Sequence, residues 1–129
     1  MPRERTTSGL RVLVVEDEVM LALLLQGWLE SMGCLVTKAG RLSRAMALIE
    51  SEAFHFAFVD VNLGGEESYP LVRGLDQRQI PFAFMSGYSR DMLQAEFRGR
   101  QMLPKPFQMH DVERVLHERA RERVDADET

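Results

Sequence analysis

The chain has 129 residues, 45% of them hydrophobic, and a formal net charge of −4 at pH 7. That length suits one domain with a single core, and that composition argues against disorder away from the ends. The acidic balance gives no general pull toward nucleic acid or anionic membrane, no apolar run approaches the roughly 20 residues of a membrane span, and one cysteine, Cys34, excludes an internal disulfide or a cysteine metal cluster. Residues 1–9 are polar and lack the apolar centre of a signal peptide, so a flexible N-terminal segment and a cytoplasmic chain are expected.

Residues 10–15 form a short apolar run, as expected of a strand covered on both faces, and Glu16-Asp17-Glu18 ends it abruptly. Met20, Leu21, Leu24, Leu25 and Trp28 then recur at helical spacing, with Gly33 placed to stop the helix. Residues 35–39 read as a second strand, and Ser43 is placed to cap a helix carrying Ala45, Met46, Leu48 and Ile49. A third apolar run over residues 54–61 again ends on an acid, Asp60, and Gly64-Gly65 marks a loop. A helix over residues 69–75 is opened by Ser68 and tolerates Pro70 in its first turn. Residues 81–85 form a fourth strand, Ser86-Gly87-Tyr88 a turn, and residues 89–97 a predicted helix. Met102-Leu103-Pro104 is a weak fifth strand leading into Lys105-Pro106-Phe107. Val112, Val115, Leu116 and Ala120 define a last amphipathic helix, after which residues 122–129 form a charged tail expected to fray.

Strands alternating with helices imply a parallel sheet with right-handed crossovers, whose ligands bind at the carboxyl ends of the strands. Glu16, Asp17, Asp60, Ser86 and Lys105 all follow strands, so one fold can gather them at one edge. Three carboxylates crowded together repel unless a cation joins them, and Mg2+ prefers hard oxygen ligands while keeping waters that a phosphate oxygen can replace. A carboxylate there can attack phosphorus to give an acyl phosphate. Lys105 is a compact cation suited to one phosphate oxygen, Ser86 a hydroxyl donor suited to another, and backbone N–H groups around Val61, Asn62 and Gly87 can supply the rest. Each residue also has a plain reading: Asp17 as a charge at a helix N-terminus, Ser86 as turn chemistry, Lys105 as a solvated lysine. The conjunction of all four strand ends carries the argument.

Val14-Val15-Glu16-Asp17-Glu18, Phe58-Val59-Asp60-Val61-Asn62-Leu63, Ser86 and Lys105-Pro106-Phe107 together resemble the motifs of response-regulator receiver domains, over roughly residues 10–121. The resemblance implies a flavodoxin-like, doubly wound α/β fold: five parallel strands in the order 2-1-3-4-5 with helices on both faces. It also implies a phosphoacceptor of a two-component phosphorelay rather than an enzyme in its own right. Asp60 would be phosphorylated by a histidine kinase or histidine phosphotransfer protein. Asp17, Asp60 and the main-chain carbonyl of Asn62 would ligate Mg2+, with Glu16 acting mostly through water, and the Lys105–Pro106 bond would be cis. Met102 stands where the family usually carries Tyr or Phe, whereas Phe84-Met85-Ser86-Gly87-Tyr88 resembles the Phe-Ala-Thr-Gly-Tyr signature of stand-alone receivers known mainly from alphaproteobacteria. Ser86, Gly87 and Tyr88 are therefore the expected switch. Nucleic acid and membrane are not expected partners, a monomer or weak dimer is expected, and output is expected through contact with another protein, since no output domain follows the last helix.

Two rival readings are a Mg2+-dependent phosphohydrolase of the haloacid dehalogenase type and a phosphorylation-independent docking module. The first usually places an Asp-x-Asp pair after the first strand, whereas here the candidate nucleophile follows the third and Asn62 stands two residues on. The second does not account for the complete set of acids, hydroxyl and lysine.

Overall fold

The computed structural model describes residues 7–128, with side chains as far as Arg119. Five strands, β1 (Arg11–Val15), β2 (Leu35–Ala39), β3 (Phe56–Asp60), β6 (Phe82–Ser86) and β7 (Met102–Pro104), form one parallel sheet in the order β2-β1-β3-β6-β7. This is the expected five-strand order. A two-stranded antiparallel hairpin, β4 (Asn62–Leu63) and β5 (Glu66–Glu67), stands beside it.

The apolar runs become strands because both faces of the sheet are covered, and alternate side chains feed two cores. Leu13, Val15, Val59 and Phe84 face one layer made by α2 (Leu42–Ser51), α3 (Tyr69–Gln77), Leu93 and Phe97. Val12, Val14, Phe58 and Met85 face the other, made by α1 (Val19–Ser31) and α4 (Met109–Glu128). α1 stops as expected: Met32 caps it, and Gly33 follows at φ +89°, a conformation that costs a residue without Cβ little. No helix among the described residues is long and apolar enough to cross a membrane.

Several expectations are corrected. Residues 89–97 do not form a helix but two 3-10 turns, Arg90–Met92 and Ala95–Phe97, separated by extended backbone at Leu93 and Gln94. Side chains take over groups that a helix would pair internally: Arg98 donates to the carbonyls of Leu93 and Asp91, and the Tyr69 hydroxyl accepts the Gln94 N–H. Ser43 does not cap α2; Arg41 occupies that position, without a side-chain cap. Gly64-Gly65 does lie in a loop, but that loop is the two-residue turn of an unexpected hairpin, β4–β5, both glycines having positive φ. The N-terminal segment is tied down from Thr7 onward: its hydroxyl donates to the Met32 carbonyl at 2.7 Å, and the Gly9 N–H donates to the Gly33 carbonyl. Residues 1–6 lie outside the described residues. α4 runs to Glu128, and Thr129 lies outside the described residues.

Candidate functional site

The carboxyl ends of β1, β3, β6 and β7 surround an open cleft of about 550 Å3 lined by Asp17, Asp60, Asn62, Gly64, Gly65, Ser86, Gly87, Tyr88 and Lys105. Asp60 is the last residue of β3 and Ser86 the last of β6, so parallel pairing brings them alongside one another. The backbone then joins hydroxyl to lysine: the Lys105 N–H donates to the Ser86 carbonyl at 2.8 Å. The Lys105–Pro106 bond is cis, as the resemblance implies.

Glu16, Asp17 and Asp60 each present a carboxylate oxygen within 4.8 Å of the others, Asp17 exposed and the other two buried. Lys105 Nζ lies 2.9 Å from both Glu16 Oε1 and Asp60 Oδ2. The contact to Asp60 is a directed hydrogen bond, but Glu16 Oε1 is buried without a well-directed donor. Glu16 Oε2 accepts the Glu18 N–H at 3.0 Å. Burial pushes the Glu16 carboxyl up to about 7, against the pull of Lys105 and the Glu18 amide, with the Asp60 charge adding to the rise. Burial works against the Lys105 ammonium, yet Glu16 and Asp60 hold it above its ordinary value. Three acids against one cation, with a buried oxygen lacking a directed donor, is a donor set that suits a hard divalent cation.

The Asn62 N–H donates to Asp60 Oδ1 at 3.1 Å, and its side-chain oxygen accepts the Gly65 N–H, shaping the hairpin turn. The Val61 N–H is engaged by the Met85 carbonyl, so Val61 and Asn62 use their amides inside the protein rather than offering them to the cleft. Ser86 is buried at the cleft's edge, its oxygen accepting the Tyr88 N–H at 2.9 Å. Tyr88 itself is 52% exposed at the rim. The sequence reading missed Gly64 and Gly65 as lining residues; the signal was a Gly-Gly pair between two dipeptides able to pair across it. It also missed Ser68 behind the site, which carried no signal beyond helix capping.

A doubly wound sheet that gathers three carboxylates, a hydroxyl and a lysine at its carboxyl edge has the charge pattern of a site for a divalent cation and a phosphoryl group. A family model for the response regulator receiver domain matches residues 12–117. The solution structure of SdrG from Sphingomonas melonis Fr1 is similar, with a TM-score of 0.75 and 37% identity over 85% of this chain and 94% of that one. A BeF3-activated conformation of SdrG, from Pseudomonas melonis Fr1, gives 0.72 and 37% over 84% and 95%. The receiver domain of the sensor histidine kinase PA1611 from Pseudomonas aeruginosa, with a magnesium ion coordinated in its active-site cleft, shares the fold at 22% identity and a TM-score of 0.73, over 88% and 98%. The chain therefore belongs to the response regulator receiver domain family of two-component systems, a family of signalling domains rather than classical enzymes.

Proposed function

We propose that this receiver takes a phosphoryl group on Asp60 from the phosphohistidine of a histidine kinase or histidine phosphotransfer protein. A carboxylate oxygen of Asp60 forms a bond to phosphorus while the phosphorus–nitrogen bond of the donor breaks, and the departing imidazole keeps the electron pair and takes up a proton. The observation that carries this reading is Lys105 Nζ lying 2.9 Å from both Asp60 and Glu16 within a trio of carboxylates, at an open cleft.

Asp17, Asp60 and the Asn62 main-chain carbonyl, with Glu16 behind them, would hold Mg2+, which when bound neutralises charge on the transferred group. Lys105 would take a phosphoryl oxygen and the Ser86 hydroxyl would donate to another, a reading supported by both residues lining the cleft beside Asp60. Asp60, Ser86 and Lys105 thus make up the phosphoryl-transfer set, and Ser86, Gly87 and Tyr88 the switch: drawing the Ser86 hydroxyl toward the phosphoryl group removes the acceptor of the Tyr88 N–H and frees the loop to settle anew. The surface around Tyr88, residues 89–97, β7 and α4 is then where a downstream protein docks. Val19 and Met20, 70% and 74% exposed just after the acid pair, offer apolar surface for a phosphodonor to pack against. The chain works in the cytoplasm as a monomer or weak dimer, without nucleic acid or membrane.

Intact mass after incubation with acetyl phosphate and Mg2+ tests the assignment. The native chain is expected to gain one phosphoryl group and Asp60→Asn none; a label that persists in Asp60→Asn sinks it.

A further inference from the structure

Ser68 stands at the N-cap of α3, yet its side chain makes no capping bond. It is fully buried, and its hydroxyl turns back to donate to the Val61 carbonyl at 3.2 Å. The same oxygen accepts the Ser68 N–H at 2.9 Å. That carbonyl is one end of the Val61–Asn62 peptide. At the other end the Asn62 N–H donates to Asp60 Oδ1 at 3.1 Å. A peptide unit is planar, so gripping its oxygen fixes where its N–H points. Asp60 Oδ2 is held separately by Lys105 at 2.9 Å. The carboxylate plane is thus set by two donors, and Ser68 aims one of them through a single rigid peptide.

We propose that Ser68 is a positioning residue for Asp60: by clamping the Val61 carbonyl it holds the Asn62 N–H on Asp60 Oδ1 and keeps the other oxygen presented to the cleft. This rests on the reading of Asp60 as phosphoacceptor. Lys105 is the mobile donor of the pair, because a phosphoryl group competes for its ammonium. The Asn62 N–H is then what keeps the carboxylate oriented, and small losses of alignment weigh heavily on displacement rates.

The test uses the full chain as native, Ser68→Ala and the near-isosteric Ser68→Cys, a weak donor. The rate of acetyl phosphate labelling is followed by intact mass at saturating Mg2+, and the Asn62 amide by NMR without Mg2+. The maximal rate is expected to fall about tenfold in Ser68→Ala, as for the loss of about one hydrogen bond's alignment, with Ser68→Cys between. The acetyl phosphate concentration for half-maximal rate should move by less than about twofold, and the Asn62 amide proton should shift upfield as its bond to Asp60 weakens. Native maximal rates in the folded variants overturn the proposal, as does a loss carried wholly by the half-maximal concentration. If Ser68→Ala does not fold, Ser68→Cys decides in the same way. A native chain that takes no phosphoryl group overturns the Asp60 reading itself; a labelled native chain with an equally fast Ser68→Ala overturns only the role of Ser68.

Discussion

Glu16 is the residue whose charge state the fold alters most visibly at the site. Buried beside Asp60, its carboxyl is pushed up to about 7, whereas its ordinary value is 4.5. A carboxyl raised on folding contributes stability that is whole below about 4.5 and is lost as the pH climbs through about 7. In EDTA, the Tm of the native chain should therefore drop between pH 5 and pH 8 by a few degrees more than that of Glu16→Gln; parallel curves would show that the slope arises elsewhere. Apparent Mg2+ affinity should weaken as the pH falls below about 7, because protonating Glu16 removes a negative charge from beside the cation. Lys105 is the opposite case, a cation held by the two acids it touches. Lys105→Ala should retain Mg2+ binding, since it removes a positive charge and no oxygen ligand, but lose the response to phosphorylation. In NMR spectra of the labelled variant, amide shifts over residues 86–107 should stay near their unlabelled values. Shifts equal to those of the native phosphoprotein would contradict the assignment of Lys105 to the phosphoryl group.

Among the elements, the segment between β6 and β7 departs furthest from a helical layer. Its two 3-10 turns are held by side chains: Phe97 stacks on Tyr69 with ring centroids 5.2 Å apart, and Arg73 lies over the Phe97 ring. Arg73 also pairs with Glu96 at 2.7 Å, an exposed contact worth little by itself. Phe97 is the buried anchor, so Phe97→Ala should cost about 3–5 kcal/mol in urea unfolding. Hydrogen exchange in this variant should rise first over residues 90–100, while β1 and β3 stay protected; a uniform rise would show that the segment does not open separately. Phosphorylation of the native chain should change exchange between residues 86 and 107. Changes confined to α1 and α2 would rule out the Ser86–Tyr88 switch.

At the scale of the whole molecule, the core between the sheet and α1 and α4 is bordered by an N-terminal anchor that touches Cys34. Cys34 is 4% exposed, its sulfur lies 3.6 Å from the Thr7 carbonyl, and burial pushes the thiol up to about 11. A buried neutral thiol is a poor nucleophile. At pH 8, Cys34 should react with a disulfide reagent only as fast as the structure opens. Labelling should be slow in the native chain and accelerate with urea; rapid labelling in native buffer would show that the Thr7–Gly9 anchor opens on its own.

How much of this was legible beforehand depended on the range of the interaction. The apolar runs at residues 10–15, 54–61 and 81–85 follow from burial on both faces of one sheet, a pattern written directly into the chain, whereas the expected face of α1 is only partly right: Leu25 is buried, but Met20 and Leu24 are exposed, and Ala22 and Leu29 are buried instead. Glu16, Asp17, Asp60, Ser86 and Lys105 could be singled out because a parallel sheet sends every strand's carboxyl end to the same edge. Residues 89–97 misled because Leu93 and Phe97, four apart, imitate a helical face. Only the folded protein supplies the Tyr69 hydroxyl and the Arg98 guanidinium that take over the backbone groups of the extended break between them. Ser68 looked like a helix cap for a similar reason: its composition suits that role, and only the hairpin's return to β3 brings the Val61 carbonyl to its hydroxyl. Local pattern settled what is buried in the central strands β1, β3 and β6 and where the acids emerge. Contacts between residues distant in sequence decided which polar groups are satisfied by whom, because a hydrogen bond depends on distance and direction that no spacing rule carries.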